Sequence, residues 1–66
     1  MGRVTLVHKG YTFIYVKNEE NHITKVYCPR HELMAKHIFK HVKVANNEDH
    51  LKIMLDEAID DYEIED

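Results

Sequence analysis

Six histidines and a single cysteine are the side chains of this 66-residue chain best suited to chemistry, and four of the seven cluster in sequence. Cys28, His31, His37 and His41 read as C-x2-H-x5-H-x3-H, a spacing that resembles a zinc ligand set. Helical geometry breaks the set apart. His37 and His41 stand one turn apart and can reach one ion, but His31 and His41 are separated by about 15 Å of helix at 1.5 Å per residue. The pair His37 and His41 stays as a candidate metal site, with a third ligand from elsewhere in the chain. His31-Glu32 opens like the H-E-x-x-H pattern of metalloproteases, yet the position of the second histidine is Ala35.

Cys28 has a second reading. It precedes Pro29 at an expected helix start, with Arg30 and His31 close by, and positive charge there favours the thiolate. The alternative is a small buried residue on the more apolar face of a sheet. One cysteine permits no intrachain disulfide and fits a reducing compartment. The only glycines are Gly2 and Gly10, so no phosphate-cradling loop exists. The N-terminal Met-Gly lacks the Ser or Thr of a myristoylation signal, having Leu6 instead. The residues therefore predict no catalysis and no cofactor.

Three segments must position these side chains before any helix begins. Arg3–His8, Tyr11–Lys17 and His22–Cys28 are rich in β-branched and aromatic residues and read as strands. Lys9-Gly10 supplies a two-residue hairpin turn, and Asn18–Asn21 a four-residue turn. The first turn pairs His8 with Tyr11, Leu6 with Phe13 and Val4 with Tyr15. The second pairs Lys17 with His22, Tyr15 with Thr24 and Phe13 with Val26. One face then carries Val4, Leu6, Tyr11, Phe13, Tyr15, Val26 and Cys28, and the other Val7, Ile14, Val16, Ile23 and Tyr27.

After Pro29, which suits a first helical position, the period changes to that of a helix. Met34, Ala35, Ile38, Phe39 and Val42 form an apolar stripe opposite Lys36, Lys40 and Lys43. Asn47 or Asn46 caps a second helix, whose stripe is Leu51, Met54, Leu55, Ala58, Ile59 and Tyr62 and whose far side shows Asp56, Asp60 and Glu63. The expected architecture is α+β: a three-stranded antiparallel β-meander followed by two α-helices (β-β-β-α-α). It forms one small domain over residues 1–66, with an acidic end at 60–66 that is free to fray. A short helix connection favours both helices on one sheet face, leaving the other uncovered.

The composition is that of a folding chain, 44% hydrophobic and 32% charged, with a net charge of −3. That mean hides an asymmetry. Residues 1–45 carry eight Lys and Arg against three Glu, while residues 46–66 carry one Lys against nine Asp and Glu. No apolar run approaches the roughly 18 residues of a membrane span, and no signal-peptide core opens the chain, which predicts an intracellular, cytoplasmic site. So short a product also fits a virus or mobile element.

Two function classes follow. The first is a non-enzymatic protein–protein interaction module, a homodimeric accessory or inhibitory factor. It would use Val7, Ile14, Val16, Ile23 and Tyr27 of the second sheet face, the acidic helix face of Asp56, Asp60 and Glu63, or both, to bind itself, another protein, or both. The second is nucleic-acid binding by the basic sheet and first helix, through Arg3, Lys9, Lys17, Lys25, Arg30, Lys36, Lys40 and Lys43, with sheet aromatics stacking on bases.

Overall fold

A computed structural model describes residues 2–65. Its elements run β1 (Arg3–His8), β2 (Tyr11–Lys17), β3 (Ile23–Tyr27), α1 (Glu32–His41) and α2 (Glu48–Glu65). The strands form one antiparallel sheet in the order β1-β2-β3. The fold is the expected α+β meander with two helices.

The first hairpin has the expected register, with His8 opposite Tyr11, Leu6 opposite Phe13 and Val4 opposite Tyr15. Lys9 and Gly10 both take positive φ, 51° and 84°, as a type I′ turn requires. The second hairpin departs from the expected pairing. Its loop is Glu19–Asn21, with Asn21 left-handed at φ 66° and the Asn18 amide donating to the His22 carbonyl at 2.9 Å. The Asn18 side chain builds this loop, its Oδ1 accepting from the amides of Glu20 and His22. Tyr15 then faces Val26 and Val16 faces Lys25, but Lys17 faces Ile23. Thr24 is the extra residue of a β-bulge.

That bulge rotates Ile23 onto the helix side of the sheet, where it is 0% exposed. Ile23 therefore does not belong to the second sheet face, as simple alternation predicts, but to the core. Its amide and carbonyl bond Ala45, at 2.8 and 3.0 Å, which ties the connection between the helices to the outer edge of β3.

The core forms where both helices cover one sheet face. Phe13, Tyr15, Ile23, Met34, Leu51, Leu55 and Ile59 lie at its centre, with Leu6, Cys28, Ile38 and Ala45 around them. The stripe of α2 is as expected. That of α1 is narrower, because only Met34 and Ile38 are buried, while Ala35 is exposed and Phe39 is 86% exposed.

Helix boundaries follow from their caps. Pro29 is not in α1. It occupies a turn closed by the His31 amide on the Cys28 carbonyl at 3.1 Å, and α1 begins after His31, whose Nδ1 accepts from the Met34 amide. Asn47 caps α2 through Oδ1, which accepts from the His50 amide at 2.8 Å, and His50 Nδ1 reaches back to the Asn46 amide. Residues 60–65 continue as helix, and Asp66 lies outside the described residues.

Candidate functional site

The histidine pair singled out by spacing does find a third partner, Asp61 of α2. Its Oδ2 accepts from His41 Nε2 at 2.8 Å and His37 Nδ1 at 3.1 Å, with Lys40 Nζ at 3.5 Å. These contacts with His41 and His37, helped by the Lys40 charge, hold the Asp61 carboxyl down to about 2. The donors converge on a single oxygen at hydrogen-bonding distance. A zinc ion requires about 2 Å to each ligand, with the ion between them. Among the described residues, no group of three or more His, Cys, Asp or Glu is arranged to hold a metal ion. The cluster is a charge-assisted bridge between α1 and the acidic end of α2.

A similar bridge joins α2 to the first hairpin. Asp56 Oδ1 accepts from His8 Nε2 at 2.6 Å and Lys9 Nζ at 3.2 Å, and these contacts lower its carboxyl. Tyr15 donates to Glu48 at 2.7 Å, and burial together with this carboxylate pushes its hydroxyl up to about 12. Tyr11 donates to Glu63 at 3.4 Å. Of the acidic side chains expected on an interaction face, Asp56 and Glu63 thus bond the chain's own hairpin, and Asp60 stays exposed. Carboxylates at the end of a helix oppose its dipole, and Asp61 is offset by the Lys40 charge and by hydrogen bonds from His37 and His41 of the neighbouring helix.

Beside these bridges lies a ring cluster that sequence spacing does not disclose. The Tyr62 ring packs edge-on against His31 (4.9 Å), His37 (5.5 Å) and Tyr11 (6.4 Å). The four residues come from three elements and the turn before α1. Spacing singles out His31 and His37, and the apolar patterns of strand and helix include Tyr11 and Tyr62, but no signal in the sequence joins the four. Cys28 is buried, and burial pushes its thiol up, opposite to the shift a reactive thiolate needs. The expected stabilisation by a helix start fails because α1 begins four residues later.

The second sheet face is uncovered. Its residues fall in cross-strand rows: Arg3, Val16 and Lys25, then Thr5, Ile14 and Tyr27, then Val7 and Thr12. Val7 is 67% exposed and Tyr27 49%, whereas Ile14 and Val16 are half-buried by their neighbours. Arg3, Ile14, Tyr27 and Pro29 line a shallow depression of about 400 Å³. Among the described residues this face has two cations, Arg3 and Lys25, and no carboxylate. A second concavity, of about 270 Å³, lies between β3 and α1 and is lined by Thr24–Tyr27 with Ile38, Phe39 and Val42.

The expected stacking platform is much reduced. Tyr11, Phe13 and Tyr15 are turned to the helices, so Tyr27 is the one strand aromatic on the uncovered face. Lys9 and Lys40 are drawn into ion pairs with Asp56 and Asp61. No described helix is long and apolar enough to cross a membrane. No protein-family model matches the chain, and comparison with curated proteins and with solved structures finds no match.

Proposed function

We propose that this chain is a small, non-enzymatic interaction module that associates with a second copy of itself through the uncovered sheet face. The uncovered face itself carries the reading. Val7, Ile14, Val16 and Tyr27 form an apolar patch on a domain whose core, among the described residues, lies on the other side of the sheet. Small domains seldom leave such a patch in water unless it is an interface. A core of this size is also marginal, and here no disulfide supplements it, so burial of a second face adds stability that the single chain lacks. The role that fits is accessory or inhibitory, acting by contact in a reducing, cytoplasmic compartment that suits a single unpaired thiol.

Nucleic-acid binding through the same face is the second reading. What phosphate and base would meet there is Tyr27 with Arg3 and Lys25, a small fraction of the basic residues in the chain.

Sedimentation velocity over a wide concentration range tests the proposal. The wild-type chain is expected to pass from monomer to dimer, and Ile14→Glu to remain monomeric with an unchanged circular-dichroism spectrum. A wild-type chain that is monomeric at every concentration refutes self-association. A dimer indifferent to Ile14→Glu refutes the assignment of the face.

A further inference from the structure

We infer that the groove between the outer edge of β3 and α1 is a strand-addition site for an extended, acidic–apolar peptide segment. This site shares Lys25 and Tyr27 with the margin of the uncovered sheet face but does not require that face to bind a second copy.

The backbone provides the first argument. Because His8 and Tyr11 close a two-residue turn, Tyr11, Phe13 and Tyr15 direct their peptide groups to β1, and Thr12, Ile14 and Val16 direct theirs to β3. Ile14 and Val16 therefore bond Tyr27 and Lys25, and the N–H and C=O of Val26 point outward from the sheet. On either side of Val26 the edge is closed. Ile23 is bonded to Ala45, and the Cys28 carbonyl accepts from the His31 amide. The open stretch is thus 24–27, the length of a short peptide strand.

The walls provide the second argument. Ile38 and Val42 form an apolar side to the groove, and Phe39 stands at its lip, 86% exposed in the middle of a helix. A phenylalanine left in water at that position gives an incoming apolar side chain a large surface to cover. An extended segment alternates its side chains. Those on the helix side enter the groove, and those on the other side lie next to Lys25.

Charge selects the occupant. Lys25 lies on the strand itself and lines the groove, and Lys36 stands one turn before Phe39 on α1, at i−3, with Glu32 one turn further on. A second copy pairing antiparallel through β3 would set Lys25 near its own symmetry mate, and like charges across strands are destabilising. A foreign segment with carboxylates facing Lys25 and valine-like side chains facing Ile38 and Val42 meets no such repulsion.

The probe is a fluorescein-labelled octapeptide of alternating Glu and Val, with a Lys-Val octapeptide as control. The acidic peptide is expected to give saturable anisotropy, with affinity falling about tenfold or more in Phe39→Asp and in Lys25→Glu. Both residues are exposed, so neither substitution removes a core contact. Amide exchange at Val26 is expected to slow on saturation, because its N–H gains a partner. Ile14→Glu on the uncovered face should leave peptide binding unchanged. The inference is overturned by absence of saturable binding, by equal binding of the basic control, by binding with unaltered Val26 exchange, or by a dimer that Phe39→Asp converts to monomer.

Discussion

Ile14 and Ile23 carry the same side chain on the same sheet, and truncating each to alanine tests the bulge on which the reading of both faces depends. Ile23 is fully buried among the helices, whereas Ile14 is half-exposed on the uncovered side. Removing three carbons from a buried site that cannot collapse costs about 2–5 kcal/mol. A chain of this length has a total stability of about 3–10 kcal/mol. Ile23→Ala should therefore lower the melting temperature by at least about 8 °C, since each kcal/mol moves a domain of this size by about 4–8 °C. Ile14→Ala should cost about 1 kcal/mol or less, mainly through strand propensity. Urea and thermal unfolding followed by far-ultraviolet circular dichroism measure both, at protein concentrations low enough to keep the chain monomeric. If the two variants are equally destabilised, or Ile14→Ala the more so, β3 lacks the bulge and Ile23 returns to the uncovered face.

Two further outcomes follow from the shifted groups. Asp61 titrates at about 2 and Asp56 below its usual 3.8, so both contribute stability that is complete above 3.8 and is lost as pH falls through the folded values. The urea midpoint should decline across that acidic window, and Asp61→Asn should flatten the decline; a slope unchanged by the substitution would remove Asp61 from the bridge. Cys28, buried and with its thiol pushed up, should react slowly with iodoacetamide in the native chain and rapidly in urea. Rapid native alkylation would show that the thiol is accessible.

Much of the fold is legible in the sequence because local signals agree with one another. Lys9-Gly10 sets the first hairpin, β-branched alternation sets the strands, and Asn47 sets the start of α2. What escapes simple reading is set by single residues that act through the backbone. Asn21 in a left-handed conformation shortens the second loop to three residues, and Thr24 adds a bulge, so the pairing of β2 with β3 shifts by two while Val26 keeps its face. Phe39 escapes for a different reason. A helical stripe records periodicity, but the width of the buried arc depends on how many elements a helix touches, and β3 is the last strand on that side.

The candidate sites divide along the same line. His37 and His41 are visible as a pair by spacing, but Asp61, which turns them into a bridge, is twenty and more residues away and comes within reach only when α2 runs back along α1. This return also changes what the charge asymmetry means. As a linear pattern, the acidic last third looks like a repulsive tail beside a basic body. In the fold, Asp56 and Asp61 are the counter-charges of Lys9 and Lys40 and accept hydrogen bonds from His8, His37 and His41, and all of them lie on the helix side of the sheet. At the two proposed surfaces the cations that α2 does not engage are Arg3 and Lys25 on the uncovered face and Lys36 one turn before Phe39 on α1. Both proposed surfaces are cationic with apolar centres in a protein whose net charge is negative. Any partner recognised at either surface must be selected by local field and shape, because overall charge directs it the wrong way.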